Sequence, residues 1–207
     1  MDLVTSKNIG GIGALLVVIG PLAGIVFSWA GILALIGVIM VLVAQKGLAD
    51  YYNEGGIFNN ALYGFITTII GSVAFVGTLI ISVLMALSTV LPTDWANIDE
   101  WAATFTENFL DPSMIFTLLG AIIAALIVLF IVLVIAAIFY RKSLNLTASK
   151  SGVGMFGTAG MLLLIGAILS IILIGAIVIW IAFILLTVAF FSIKPTTKSP
   201  TPPTSES

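Results

Sequence analysis

The chain has 207 residues, of which 61% are hydrophobic and 8% charged, with a formal net charge of −2 and a mean hydropathy of +1.30. Soluble domains carry about 25% charged residues, so this chain has too little polar surface to be one, and its charge gives no footing for nucleic acid or another polyanion. Cysteine and histidine are both absent, which excludes disulfides, thiolate or imidazole metal sites, a cysteine nucleophile and the usual proton-shuttling base.

The N-terminal MDLVTSKNIGG places one lysine before a long apolar run without an A-x-A cleavage pattern. It reads as a retained first span and not as a signal peptide. Four apolar blocks free of charged residues follow, at 9–44, 57–91, 114–140 and 153–193. A span needs about 20 residues, so the first and last blocks are each long enough for a helical hairpin. In the first, Gly20-Pro21 and Ser28-Trp29-Ala30-Gly31 supply breakers, which puts the turn near 28–30. The two middle blocks, as single helices at 1.5 Å per residue, reach about 40–45 Å against a hydrocarbon core of about 30 Å. They must tilt or project into water. Between them, Trp95, Ile98, Trp101, Phe105 and Phe109 fall at helical spacing, opposite Asp99, Glu100, Glu107 and Asn108. That pattern predicts an amphipathic interfacial helix, carried chiefly by Trp95, Trp101 and Phe105, that lids the bundle or docks a partner. In the last block the candidate breakers are Ser170 and Gly175, so a hairpin and one long helix both remain open there. The tail KPTTKSPTPPTSES, 194–207, is Pro/Thr/Ser-rich and cannot bury apolar surface, so it is expected to be disordered.

Charge orients these elements. Segment 92–113 carries Asp94, Asp99, Glu100, Glu107 and Asp111 without a basic residue, whereas 141–152 carries Arg141, Lys142 and Lys150 without an acid. The positive-inside rule places 141–152 in the cytoplasm. With two terminal hairpins, all 7 basic residues share that side. The expected fold is therefore all-α: a polytopic transmembrane bundle of six helices, ordered hairpin, two long helices, hairpin, with an extracellular amphipathic helix. It forms one domain over 1–193, with spans at about 9–28, 30–46, 60–90, 114–140, 155–173 and 175–192. It is placed in the cell membrane with both termini cytoplasmic.

The two hairpins look related. SKNIGGIG at 6–13 matches SKSGVGMFG at 149–157, and the following runs agree at Leu16/Leu162, Ile19/Ile165, Gly20/Gly166 and Ile25/Ile171. Since both copies would start inside, duplication would give a parallel repeat and not the inverted kind common in transporters.

Between the first two blocks, QKGLADYYNEGGIFNNALYG (45–64) holds the densest polar chemistry. Lys46, Asp50 and Glu54 are spaced by four, on one helical face, with Lys46 and Asp50 as a pair. Gly55-Gly56 signals the end of the second helix, Tyr51 and Tyr52 suit the headgroup level, and Asn59 or Asn60 is expected to cap the next helix. The plain reading is a helix surfacing into water. The sharper one is a cytoplasmic polar cluster in which Asp50 and Glu54 hold a cation, or Arg141 and Lys142.

The stretches GGIGALL, KGLADYYNE–GGIFNNALYG, GVGMFGTAGMLLLIGAILSIILIG and AFFSIK resemble a family of small archaeal integral membrane proteins of unknown function. The resemblance covers the chain up to about Lys194. It implies an archaeal plasma membrane and a helical fold, and no activity. The resemblance extends to members with a cysteine-bearing zinc ribbon at the C-terminus, where this chain has its Thr/Pro tail.

Gly152, Gly154 and Gly157 satisfy G-x-G-x-x-G, but a dinucleotide site needs a preceding strand and an acid about 20 residues on. No nucleotide is expected. A contact of Lys150, Gly152 and Gly154 with a lipid phosphate is the functional alternative to a flexible hairpin entry. Gly20, Gly24 and Ser28, and on the third helix Gly64, Thr68, Gly71, Thr78 and Ser82, form small-residue rows that let helices approach. These rows suit packing within the chain, a homo-oligomer or a membrane-protein partner. Asn145-Leu-Thr147 is a glycosylation sequon, expected to stay unmodified because it lies inside.

No catalytic residue, metal or cofactor is expected. The favoured function is a non-enzymatic membrane scaffold or accessory subunit. The alternative is a channel or carrier for a neutral or lipid-like solute, since the spans hold none of the ionisable groups that mark ion pathways. An intramembrane enzyme restricted to Ser, Thr, Tyr, Asn and loop carboxylates ranks last.

Overall fold

The computed structural model describes residues 1–90, 111–172 and 174–194. Among these, the chain forms six helices long and apolar enough to cross a membrane. Helix α1 spans Leu3–Val26. It starts ahead of the apolar block because Asp2 caps it, its carboxylate accepting from the Thr5 amide at 2.8 Å. Hydrogen bonding from the Thr5 side chain, and then from its amide, holds the Asp2 carboxyl below its ordinary value. The helix ends at Phe27, whose φ of −126° and ψ of 109° are extended. A 3₁₀ turn at Ser28–Ala30 leads into α2, Gly31–Tyr51, so the first block is a hairpin folded where its breakers lie.

Helix α2 stops by a mechanism the glycine signal did not indicate. Asn53 takes the left-handed conformation, φ 50°. The Glu54 amide then donates to Ala49 O at 2.9 Å and the Asn53 amide to Asp50 O at 3.4 Å, the two bonds of a Schellman cap. Gly55 and Gly56 open α3, Gly55–Val90. The expected Asn cap is therefore corrected: Asn60 lies inside the helix and its amide donates back to Gly56 O at 2.7 Å. A β-branched residue cannot adopt this φ cheaply, so Asn53→Val should cost about 1–2 kcal/mol and Asn53→Gly almost nothing. Thermal unfolding of the two variants in detergent checks this.

Helix α4 runs Pro112–Ser151, beyond the apolar block at 114–140, because nothing in 141–151 breaks a helix before Gly152. That glycine, at φ 72°, ends α4 with its amide donating to Ala148 O at 3.0 Å. Helix α5 is Met155–Leu169. A second 3₁₀ turn, Ser170–Ile172, precedes α6, Ile174–Phe191. The last block is thus a hairpin. Gly20 and Gly166, equivalent in the proposed repeat, both sit where the partner helix of the hairpin comes close: a Cβ on them would lie 2.8 Å from Ala34 N and 3.0 Å from Ile179 N.

The three hairpins, α1–α2, α3–α4 and α5–α6, close into a ring, since α2 packs on α3, α4 on α5, and α6 returns onto α1. The α6–α1 seam is specific. The Phe190 ring lies over Gly10 and the Phe191 ring over Gly11, and Lys7 donates to Ile193 O at 3.1 Å. The Trp180 indole donates to Val18 O at 2.9 Å. Pro21, inside α1, has no N–H to offer Val17 O in the preceding turn, and the Trp180 bond falls on the next carbonyl along.

Buried side chains gather toward the end of the ring that carries residues 44–57 and 141–163. There Leu48, Ile57, Phe156 and Phe190 are fully buried, and Phe156 meets Phe190 edge to face at 5.1 Å. The α3–α4 hairpin continues past the ring. Its helices, 36 and 40 residues long, measure about 54 and 60 Å, while α1 and α2 have 24 and 21 residues. Along the projecting part, Ile70, Val73 and Phe116 are exposed. The hairpin holds itself together through Gly64 against Tyr140, Gly71 against Val132 and Ala86 against Met114. The segment with Trp95, Trp101 and Phe105, and the tail from residue 195 on, lie outside the described residues.

Candidate functional site

A chamber of about 270 Å³ occupies the axis of the ring and is lined by every helix, among others by Val17, Val41, Phe65, Leu133, Leu163 and Phe183. Its space comes from the sequence. Ala61, Ala136, Ala137 and Ala167 line it and are buried, so four inward positions carry a single methyl where six helices converge. Asp, Glu, Lys and Arg are absent from its wall.

The wall's polar groups are Gln45, Thr68, Tyr140 and Ser143, and most are committed. Ser143 Oγ donates to Ile57 O at 2.7 Å, binding α4 to the start of α3. Thr68 Oγ1 donates to Gly64 O at 2.9 Å, leaving its lone pairs to the Tyr140 hydroxyl 3.5 Å away. Behind the wall, Thr147 Oγ1 lies 3.0 Å from Ser143 O and 3.1 Å from Gln45 Oε1. A hydroxyl has one proton, so it serves one of these acceptors at a time. Gln45 is 2% exposed, and that contact with Thr147 is its side chain's sole hydrogen bond among the described residues.

The charged groups lie apart from the chamber, and the structure pairs them in its own way. Lys46 and Asp50 form the i, i+4 pair at 2.7 Å, and Lys46 also sits 5.4 Å from the Phe58 ring centroid. Glu54 meets Lys150 at 3.1 Å, tying the α2–α3 turn to the end of α4. Asp50 and Glu54 thus each hold a lysine, and neither pairs with Arg141 or Lys142. Lys142 instead stands 5.9 Å from the Phe139 ring, and Arg141 is half-buried. Among the described residues, no group of three or more Asp and Glu side chains is placed to hold a metal ion. Tyr51 and Tyr52 stack edge to face at 5.0 Å. Burial, and then the neighbouring Tyr51, raises the Tyr52 hydroxyl above its ordinary value, so it stays protonated.

Of the lipid-phosphate candidates, Lys150 is engaged by Glu54, Gly152 forms the turn after α4 and Gly154 precedes α5. Of the small-residue rows, Gly20, Gly64 and Gly71 lie at close helix contacts, while a Cβ on Gly24 would have 3.8 Å of room. Ser28 belongs to the 3₁₀ turn. Thr78 donates to Ala74 O at 2.8 Å within its own helix, and Ser82 is half-exposed on the same helix. Sequence reasoning missed the close crossing of Gly13 with Gly37, and it missed Gln45 as an inward-facing group. The signal for Gln45 was available: Val41, Ala44, Gln45 and Leu48 follow the i, i+3, i+4, i+7 spacing of one inward helical face.

The model of a family described as "Protein of unknown function (DUF996)" matches residues 33–184. The uncharacterized protein MJ1644 of Methanocaldococcus jannaschii is 30% identical over 199 residues, covering 96% of this chain and 97% of that protein. No solved structure matches the chain.

Proposed function

We propose a function from a plain premise: the chain belongs to the DUF996 family, whose function is unknown. It is a non-enzymatic multi-pass membrane protein that carries a small, uncharged, lipid-like solute in its axial chamber. The observation that carries this reading is the chamber itself, lined by all six helices and by no formal charge. Sites for small molecules are concave, mostly apolar and furnished with a few polar groups, and the absence of ionisable wall groups argues against ions and protons as cargo. A bilayer already dissolves small apolar molecules, so the task is to hold and deliver one, not to make the membrane permeable to it.

Native mass spectrometry of the protein released from its own membranes tests this. One adduct of constant mass per chain, absent from an Ala137→Leu variant whose added bulk fills the chamber, is the expected result. A bare wild-type chain, as bare as the variant, would overturn the reading.

A second reading, an accessory subunit of a larger membrane assembly, draws on the exposed apolar flank of the α3–α4 hairpin beyond the ring. It expects a partner at fixed stoichiometry on mild extraction. Either role places the protein in the cell membrane with residues 46, 150 and 194 on the cytoplasmic side. The chain has no native cysteine, so single cysteines at those positions should react with an impermeant maleimide only in inside-out vesicles.

A further inference from the structure

We infer that the Gln45 carboxamide is the recognition group of the chamber, and that its ligand is an uncharged amphiphile with one hydrogen-bond-accepting oxygen at the end of an apolar body. This rests on the chamber being a binding site, as proposed above. Gln45 is 2% exposed and lines the chamber. Its Oε1 faces Thr147 Oγ1 at 3.1 Å, and its amide nitrogen has no partner among the described residues. Buried polar groups are nearly always hydrogen-bonded, and one left unmade needs a reason.

The neighbouring polar groups do not supply that partner. Ser143 Oγ bonds to Ile57 O, Thr68 Oγ1 to Gly64 O and to the Tyr140 hydroxyl, and none of the three makes a hydrogen bond to the amide nitrogen among the described residues. Turning the amide over does not resolve the deficit, because Thr147 can then take an N–H while donating its own proton to Ser143 O, but a second N–H still faces the chamber. The two N–H bonds of one carboxamide diverge by about 120°, so a single hydroxyl oxygen cannot take both. The missing element is an acceptor supplied from the chamber side: a ketone, ester, ether or alcohol oxygen.

Size limits the rest of the molecule. A cavity of about 150 Å³ holds benzene, and by that proportion 270 Å³ holds about ten non-hydrogen atoms. Beyond Gln45 and the hydroxyls of Thr68, Tyr140 and Ser143, which already have hydrogen-bond partners, the wall is apolar, with Leu133, Leu163 and Phe183, so the body is apolar and uncharged. The ligand lies with its oxygen toward the chamber end at Gln45 and its chain toward the interior of the ring.

The test uses two isosteric probes, 2-nonanone and 2-methyl-1-nonene, each of about ten non-hydrogen atoms to suit the chamber and differing in one oxygen against one methylene. Their affinities for the full-length protein in nanodiscs are measured and corrected for partition into protein-free nanodiscs. The wild type should bind the ketone about tenfold more tightly than the alkene, the factor expected of one neutral hydrogen bond of about 1.4 kcal/mol. Gln45→Met, which keeps the length and removes the amide, should bind both equally. Equal binding of the two probes by the wild type would overturn the assignment of Gln45 while leaving the chamber a binding site. Failure of both probes to bind would overturn the chamber reading itself. The wild-type ratio is decisive even if Gln45→Met does not fold.

Discussion

Leucine at position 37 should abolish the folded protein, and alanine there should already lower its unfolding temperature sharply. Gly37 and Gly13 face each other where α1 and α2 cross. A Cβ on Gly37 would lie 2.9 Å from Val17 N, and one on Gly13 would lie 2.8 Å from Gly37 O and 2.9 Å from Val41 N. These neighbours are backbone atoms, so no rotamer change makes room and the helices must separate along their length. Overpacking with side chains as neighbours costs about 1–3 kcal/mol; against backbone the upper end or more is expected for alanine. In lipid, helices associate mainly through such close packing, so separation forfeits the attraction as well. Gly77 and Gly120, where an added Cβ meets nothing within 4 Å, are the matched controls, and alanine at either should be neutral or slightly stabilising. Size-exclusion profiles and thermal unfolding of the four variants in one detergent decide the matter. A Gly37→Ala protein as stable as Gly77→Ala would show that the crossing is not close.

Phe190→Ala should be the most damaging truncation. The ring is fully buried, lies across Gly10 of α1 and meets Phe156 of α5 edge to face at 5.1 Å. It therefore joins the first, fifth and sixth helices at one point. Phe→Ala in a packed core costs about 3–5 kcal/mol. The lower figure suits this site, because part of that range is transfer from water, and helix association within lipid rests on packing. Gly10→Val in the Phe190→Ala background should recover part of the loss by filling the void, although Gly10→Val alone is harmful. Chemical denaturation of the two single variants and the double variant measures the coupling.

Much of this architecture was legible. The Gly20-Pro21 and Ser28–Gly31 breakers, the weaker Ser170 and Gly175, and the one-sided lysines led to six helices ordered hairpin, two long helices, hairpin, and the described residues form six such helices; that the two long ones pair with each other was not foreseen. What the sequence did not show depends on which faces meet. Gly13 and Gly37 are ordinary glycines in apolar runs until the turn sets their register. Gln45 was hidden by its neighbours: Lys46 and Asp50 are exposed and read as a helix leaving the membrane, yet one residue along a helix turns the side chain by about 100°. Glu54 took Lys150 in place of Arg141 or Lys142 because α4 continues as a helix to Ser151, a choice set by the absence of a breaker. Asn53 ended α2 ahead of the two glycines because it tolerates a positive φ.

The seam between α6 and α1 also sets an order of events in synthesis. The chain leaves the ribosome with α1 first, and the groups that close the ring, Trp180, Phe190 and the carbonyl of Ile193, arrive last. Until then one flank of α1, with its row of glycines and the Val18 carbonyl that Trp180 bonds, has lipid for a neighbour. Five helices can therefore be inserted with the chamber still open along one side, and α6, through Ile179, Phe183 and Leu186, supplies the last of its wall.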